Sequence, residues 1–275
     1  MTIVAPTDPP RSIDRGYVGR RRRPTPDSLQ QWWALSLRLI KPALRNGEII
    51  SAIISPIVFT VGFYLPLKFV MSFQGVDYAQ FLMPIIALQA LSFTALSAAM
   101  NAALDRTEGI TDRFKTMPIR SGVPLAARMS ANLFRLVVSL SVAIACGYVI
   151  GFRFHLGWTN SVGFCALALL VGFALTMGGD AIGTLSKTPE ATTQALTLPQ
   201  LILGMLSTGF VPITGFPEWI QPFVRNQPIS VIATAMRDMT SDGVDWPTLW
   251  PALAWSFGAL LVFAPITIWA NGRRQ

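Results

Sequence analysis

The chain has 275 residues, 52% of them hydrophobic and only 13% charged, with a mean hydropathy of +0.48. A soluble protein of this size carries about a quarter charged residues, so this composition excludes most soluble enzyme classes. The net charge of +8 does not point to nucleic acid: nine of the 22 basic residues (Arg11, Arg15, Arg20 to Arg23, Arg38, Lys41 and Arg45) precede Glu48, and no basic folded domain remains to present such a surface.

Residues 1–27 are polar, proline-containing and arginine-rich, and are expected to be a disordered cytoplasmic tail. Residues 28–46 follow as an amphipathic helix. Ser28 can cap it, Trp32, Trp33 and several leucines give an apolar side, and Arg38, Lys41 and Arg45 give a polar one. Tryptophans combined with basic residues suit a helix lying in the membrane interface. Asn46-Gly47 ends it.

Six apolar segments fill most of residues 47–275, each near the ~20 residues that cross a ~30 Å hydrocarbon core. They are expected at about Ile49–Val70, Ala79–Leu104, Val123–Ile150, Trp158–Leu185, Thr192–Val211 and Trp246–Trp269. Pro56 and Pro66 are expected kinks in the first, and Lys68 snorkels at its far end. With the N-terminus inside, sixteen basic residues fall on inner segments and four (Lys68, Arg153, Arg225 and Arg237) on outer ones. That bias places both termini in the cytoplasm. The expected fold is therefore an all-α polytopic membrane protein with six transmembrane helices.

Two polar interruptions break the apolar pattern. The inner one spans residues 105–122. Asp105 and Glu108 have capping-box-like spacing, so a short helix is expected to start there. Ile110, Phe114 and Met117 fall on one face of it, which suits packing on lipid or on a cytoplasmic partner. The outer one spans residues 212–245. It is too apolar for a free loop and too broken by Pro217, Pro222 and Pro228 for one helix. Two short re-entrant helices are expected, with Trp219 at headgroup level and Phe223, Arg225, Asn226 and Pro228 in the same block.

Within the spans, polar residues form stripes. Thr193, Thr197, Gln200, Gly204 and Ser207 or Thr208 align on the fifth. Thr94, Ser97 and Asn101 align on the second, with Gln89 and Ser92 beside them. Such stripes turn away from acyl chains, either to pack helices or to face a substrate. Arg128 and Arg135 lie one heptad apart on the third span, and Asp180 lies near the inner end of the fourth. Intramembrane charges are costly unless paired, so Asp180 is expected to pair with one of the two arginines. Gly147-xxx-Gly151 and Gly179-xxx-Gly183 permit close helix approach.

Enzyme chemistry is missing. There is no phosphate-loop motif, the single histidine His155 stands alone at the expected outer edge, and Cys146 and Cys165 sit inside apolar runs. No catalytic, cofactor or metal residues are assigned.

Four stretches carry a resemblance: Asn46-Gly-Glu-Ile49, Ser55-Pro-Ile-Val-Phe-Thr-Val-Gly-Phe-Tyr-Leu-Pro66, Cys146-Gly-Tyr-Val-Ile-Gly-Phe-Arg-Phe-His155 and Trp219-Ile-Gln-Pro-Phe-Val-Arg-Asn-Gln-Pro-Ile-Ser230. With the six-span pattern, they resemble the daunorubicin-resistance (DrrB) permease family of type 2 ABC exporters over roughly residues 29–272. Within that family the likeness is to mycobacterial members that help export the wax lipid phthiocerol dimycocerosate. The resemblance implies a separate ATP-binding subunit (DrrA-like) holding ATP and Mg2+, and a second permease subunit (DrrC-like). It also implies that Asp105, Arg106, Glu108, Ile110, Phe114 and Met117 form a coupling helix on the ATPase. Gln89, Ser92, Ser97, Thr197, Gln200, Gly204 and Ser207 would line the substrate path. Many relatives have Glu-Arg where this chain has Asp105-Arg106, so the acid is retained. An exporter of a large amphiphilic lipid or a hydrophobic drug is the expected function. Export of another antibiotic or a polysaccharide, or a membrane scaffold without transport, stand as alternatives.

Overall fold

The computed structural model describes residues 28–45, 48–72, 77–109, 122–241 and 243–272. These form helices α1 (Ser28–Arg45), α2 (Glu48–Ser72), α3 (Tyr78–Thr107), α4 (Gly122–Ile150), α5 (Gly157–Leu185), α6 (Pro189–Met205), α7 (Gln221–Asn226), α8 (Pro228–Asp238) and α9 (Trp246–Gly272). One 3-10 turn, Ile213–Gly215, precedes α7. The described residues contain no strand.

Five of these helices (α2, α3, α4, α5 and α9) are long and apolar enough to cross a membrane. They match five of the six expected apolar segments to within a few residues. The remaining one differs. α6 has 17 residues and stops at Met205, six short of the expected Val211. Its length is about 25 Å, at the lower limit for a span. The physical reason is that the chain turns where side chains satisfy the freed backbone. The Ser207 hydroxyl donates to the Gly204 carbonyl at 2.6 Å and accepts from the Gly209 amide at 3.3 Å. The Gln227 amide donates to the Leu206 carbonyl, and Ser230 accepts from the Thr208 amide at 3.0 Å.

α3 is the spine. Asp77 caps its start by accepting from the Ala79 and Gln80 amides at 3.1 and 3.4 Å. Leu82, Met83, Ile85, Ile86 and Leu91 are fully buried on it, and α2, α4, α5, α6 and α8 all pack against it. A helix so enclosed needs neighbours that can approach closely. α5 supplies Gly179 and Gly183: a Cβ at Gly179 would lie 2.9 Å from the Ala95 carbonyl oxygen, and one at Gly183 would overlap the Ala99 carbonyl oxygen. Gly147 of α4 lies against Met83 of α3. Its companion Gly151 meets nothing; with φ +108° it forms the turn after α4.

α3 runs three residues beyond the expected Leu104, and this overturns the expected helix start at Asp105. The Glu108 amide donates to the Leu104 carbonyl at 2.9 Å, and Gly109 takes φ +68°. That left-handed glycine marks a helix C-terminus, not an N-terminus. Asp105 and Arg106 are thus the last turn of α3, and Glu108 follows it. The capping-box spacing misled because the same residue types occur at helix ends of either sense.

Candidate functional site

Two polar assemblies and one large cavity stand out. The cavity has a volume of about 720 Å³ and is walled by α3, α5, α6, α8 and α9. α6 packs mainly on α3, and α9 on α5, so the gap between α6 and α9 is left as the cavity. Its wall is apolar apart from Gln89, Ser92, Gln200 and Ser256, and it holds no charged side chain.

The residues expected along a substrate path divide here. Gln89, Ser92 and Gln200 are brought together on the cavity wall. Gly204 lies behind it: a Cβ there would overlap the Gln89 amide nitrogen, so this glycine seats the Gln89 side chain between α3 and α6. Ser97 turns its hydroxyl back to the Phe93 carbonyl at 3.0 Å. Thr197 is not part of the wall, and its hydroxyl is buried without a hydrogen-bond partner in the described residues. Ser207 belongs to the turn after α6, so the expected continuous stripe on the fifth span breaks at Met205. Gly204→Val is expected to push the Gln89 amide into the cavity and cut transport severalfold at little cost in expression. Unchanged transport would separate Gln89 from the path.

At the end of the bundle where α3 and α5 terminate, Asp180 is 1% exposed and pairs with Arg128. The Arg128 guanidinium also reaches Thr184 and Asn271, each at 3.5 Å. Asn271 donates to Asp180 at 3.4 Å, and Thr267 donates to the Met177 carbonyl at 2.8 Å. Three helices (α4, α5 and α9) are tied by this one network. Arg135 instead donates to Asn132 Oδ1 at 3.1 Å on its own helix. The sequence could not choose between the arginines because both share a helix face; depth and the neighbouring α9 decide.

Arg106, expected on a coupling helix, bonds to the end of α5. Its guanidinium donates to the Leu185 carbonyl at 2.8 Å and to the Ser186 carbonyl. These are the orphan carbonyls at the end of α5, where a cation is also favoured by the helix dipole. Arg106 is therefore an intramolecular clasp between the ends of α3 and α5. Asp105 is partly buried and Glu108 exposed; Ile110, Phe114 and Met117 lie outside the described residues. Arg106→Ala is expected to destabilise the purified chain by about 1 kcal/mol, the scale of a hydrogen bond inside a membrane protein. A melting temperature equal to that of the parent would contradict the clasp.

At the opposite end, Arg237 was counted by sequence only as one of four outer charges. It closes the outer segment. Nε and Nη2 donate to the Phe81 carbonyl at 3.3 and 3.2 Å, Nη2 reaches the Thr208 carbonyl at 3.2 Å, and the guanidinium stacks 3.8 Å from the Phe81 ring centroid. Burial pushes its pKa down to about 10, with Asp238 opposing, so it stays charged at neutral pH. No local pattern announces these contacts: Phe81 is 156 positions away. The rest of the expected outer block is exposed at Trp219, Phe223, Arg225 and Asn226, while Pro228 opens α8 and lines the cavity. His155 is exposed. Arg237→Met should loosen the turn at 206–216 and speed its proteolysis; an unaltered cleavage rate would count against the clamp.

Long apolar helices thus surround a cavity whose wall carries no charged side chain. The sequence matches the ABC-2 family transporter protein family over residues 72–273. The chain belongs to this family. It is 40% identical over 249 residues to the doxorubicin resistance ABC transporter permease protein DrrB of Mycobacterium tuberculosis, covering 86% of each chain. It is 30% identical over 224 residues, 80% of each chain, to the probable doxorubicin resistance ABC transporter permease protein DrrC of the same organism. It is 26% identical over 221 residues to the daunorubicin resistance ABC transporter permease protein DrrB1 of Streptomyces coeruleorubidus, covering 80% of this chain and 78% of that one. As a member of this family it is a multi-pass membrane protein and a transport component.

Proposed function

We propose that this permease is the membrane subunit of an ATP-driven exporter that moves a large amphiphilic lipid, of the phthiocerol dimycocerosate type, out of the cytoplasmic membrane. The observation that carries the reading is the uncharged cavity wall. An apolar surface with a few amides and hydroxyls suits neutral ester-bearing chains, whereas a buried cation would need a carboxylate. A hydrophobic drug is the second reading, favoured by the resistance named for all three relatives. ATP and Mg2+ would sit on a separate ATP-binding subunit, and a second permease would complete the translocation path.

Both termini are taken to be cytoplasmic, following the positive-inside bias. That topology needs an even number of crossings, so α6 must serve as the short sixth, with α7 and α8 filling the outer interface behind it. Nucleotide binding would move residues 110–121, and the Arg106 clasp would pass that motion to the end of α5 and the start of α6. α6 would then tilt against α9 and reshape the cavity.

Lipid profiling of a strain lacking this gene tests the cargo. The lipid reading expects surface wax esters to fall and to accumulate inside. A normal lipid profile together with new sensitivity to an anthracycline would replace it with the drug reading.

A further inference from the structure

The cavity has a definite inner limit. Its lining stops at Leu96 on α3, Gly179 on α5, Leu196 on α6 and Phe263 on α9. α3, α5 and α9 run one way and α6 the other, as the contacts of Gly179 with Ala95, Thr267 with Met177 and Gly204 with Gln89 place them. The last lining residue on three helices and the first on the fourth therefore mark one level. About 14 Å of α9, at ~1.5 Å per residue, continues beyond it. Phe263 is the largest side chain at that limit, and its ring has a seat. A Cβ on Gly178 would lie 2.9, 3.0 and 3.1 Å from the ring atoms Cδ2, Cγ and Cε2, so the ring fits there because residue 178 is glycine.

The polar network at the inner end holds Phe263 on that seat. The Thr267 hydroxyl is shared between the Met177 carbonyl at 2.8 Å, next to Gly178, and the Phe263 carbonyl at 2.7 Å. Asn271 donates to the Thr267 carbonyl at 2.9 Å and to Asp180 at 3.4 Å, and Asp180 pairs with Arg128. Between seat and network α9 has a weak point. Pro265 has no amide proton to give to the Leu261 carbonyl, and helices bend at such positions. An ion pair at the inner end is thus connected, bond by bond, to an apolar ring on the cavity wall.

We propose that Phe263 is the inner gate of the cavity. Its ring, seated on Gly178, closes the space toward the cytoplasmic end, and it leaves that seat when the Thr267–Met177 bond opens and α9 bends at Pro265. Phe263 is the blocking group; Thr267 and Asn271 are positioning residues that act through it. The side the gate faces rests on the export reading and its topology, whereas the gate itself rests on the seat and the bonds around it.

The test uses the full complex in inverted membrane vesicles. Cys146→Ala removes one native thiol, Ser92→Cys places a reporter on the cavity wall one turn from Leu96, and Cys165, which is not on that wall, stays as the control. An anionic methanethiosulfonate added outside the vesicles reaches the reporter through the cytoplasmic end, because its charge bars it from hydrocarbon. Phe263→Ala should speed reporter modification about tenfold or more, as the loss of a packed ring allows. Gly178→Ala keeps the ring but displaces it; it should speed modification too, and serves if Phe263→Ala does not fold. Thr267→Val removes the hydroxyl and should speed modification about threefold, the population shift from losing one interhelical hydrogen bond in a membrane protein. Thr267→Ser should restore the parental rate. A Thr267→Val complex that melts earlier but modifies at the parental rate would overturn the positioning role. Parental rates in both Phe263→Ala and Gly178→Ala would overturn the gate, as would an equal rise at Cys165, which reports general loosening. Nucleotide separates this inference from the export reading. Faster reporter modification of the parent during ATP turnover supports the gate as part of the cycle. Modification that rises in the gate variants but is indifferent to ATP in the parent supports the gate and counts against ATP-driven export. ATP-driven export by a Phe263→Ala complex whose reporter stays as slow as the parent's keeps export and overturns the gate.

Discussion

Gly183→Val is expected to abolish the folded bundle. A Cβ at this position overlaps the Ala99 carbonyl oxygen, and the next atoms in its way are the Ala99 carbonyl carbon at 2.9 Å and the Ala102 Cβ at 3.1 Å. The obstruction is backbone, so no side chain can swing aside to relieve it. α3 and α5 would have to separate along their closest stretch, which also includes Gly179 against Ala95. Ordinary overpacking costs about 1–3 kcal/mol; separating two backbones in the most buried part of the molecule should exceed the upper end of that range. Expression in membranes and monodispersity in detergent measure it. Gly62→Ala on α2 is the matched control, because a Cβ there meets nothing within 4 Å. It should be neutral or slightly stabilising, since alanine favours a helix by up to about 1 kcal/mol over glycine. Normal yield and monodispersity of Gly183→Val would mean that α3 and α5 do not pack as described.

The second large effect is expected at Asp180. Among the described residues, Asp180→Ala leaves Arg128, 18% exposed, with only the neutral oxygens of Thr184 and Asn271, each at 3.5 Å. Removing one partner of a buried ion pair costs about 3–5 kcal/mol, because the surviving charge is left without compensation. Arg128→Met should be similarly severe, since it strands the carboxylate. The double variant Arg128→Met/Asp180→Leu removes both charges and keeps the volume, so it should recover most of the stability. Melting temperatures of the four proteins complete a cycle that isolates the pair. If the two single losses simply add in the double variant, the pair does not hold α4 and α5 together. Asp180→Asn is the milder form, expected to fall between parent and Asp180→Ala.

These two sites show what was legible in the sequence. The paired glycines on α5 were readable because GxxxG spacing places both on one helix face, though the sequence did not say which helix they would meet. The need for a partner at Asp180 was readable from the cost of a charge in hydrocarbon. The choice of Arg128 was not, because it depends on the depth of each arginine and on α9, which brings Asn271 from 91 positions away. Helix bounds were best where the apolar run alone sets them, as in α4 and α5. They failed where side chains from elsewhere complete the backbone, as Gln227 and Ser230 do at the end of α6. Arg237 was placed by charge counting and Arg106 by the family resemblance, and neither names a bonding partner. Both cap carbonyls of neighbouring segments. Of the residues expected along the path, Gln89, Ser92 and Gln200 line the cavity; Ser207 falls in the turn after α6, Gly204 lies behind Gln89, and Ser97 and Thr197 are not on the wall.

As proposed above, this chain would be the passive membrane part of an exporter whose ATP hydrolysis resides on another polypeptide. Reconstitution tests it most directly. The chain is purified in mild detergent with whatever remains bound, placed in proteoliposomes, and followed for movement of a fluorescent neutral ester lipid across the bilayer. The expected movement requires ATP and Mg2+, stops with a non-hydrolysable analogue, and is lost when the co-purifying ATP-binding subunit is stripped away. Movement that proceeds equally without nucleotide, or that survives removal of every other chain, would contradict it.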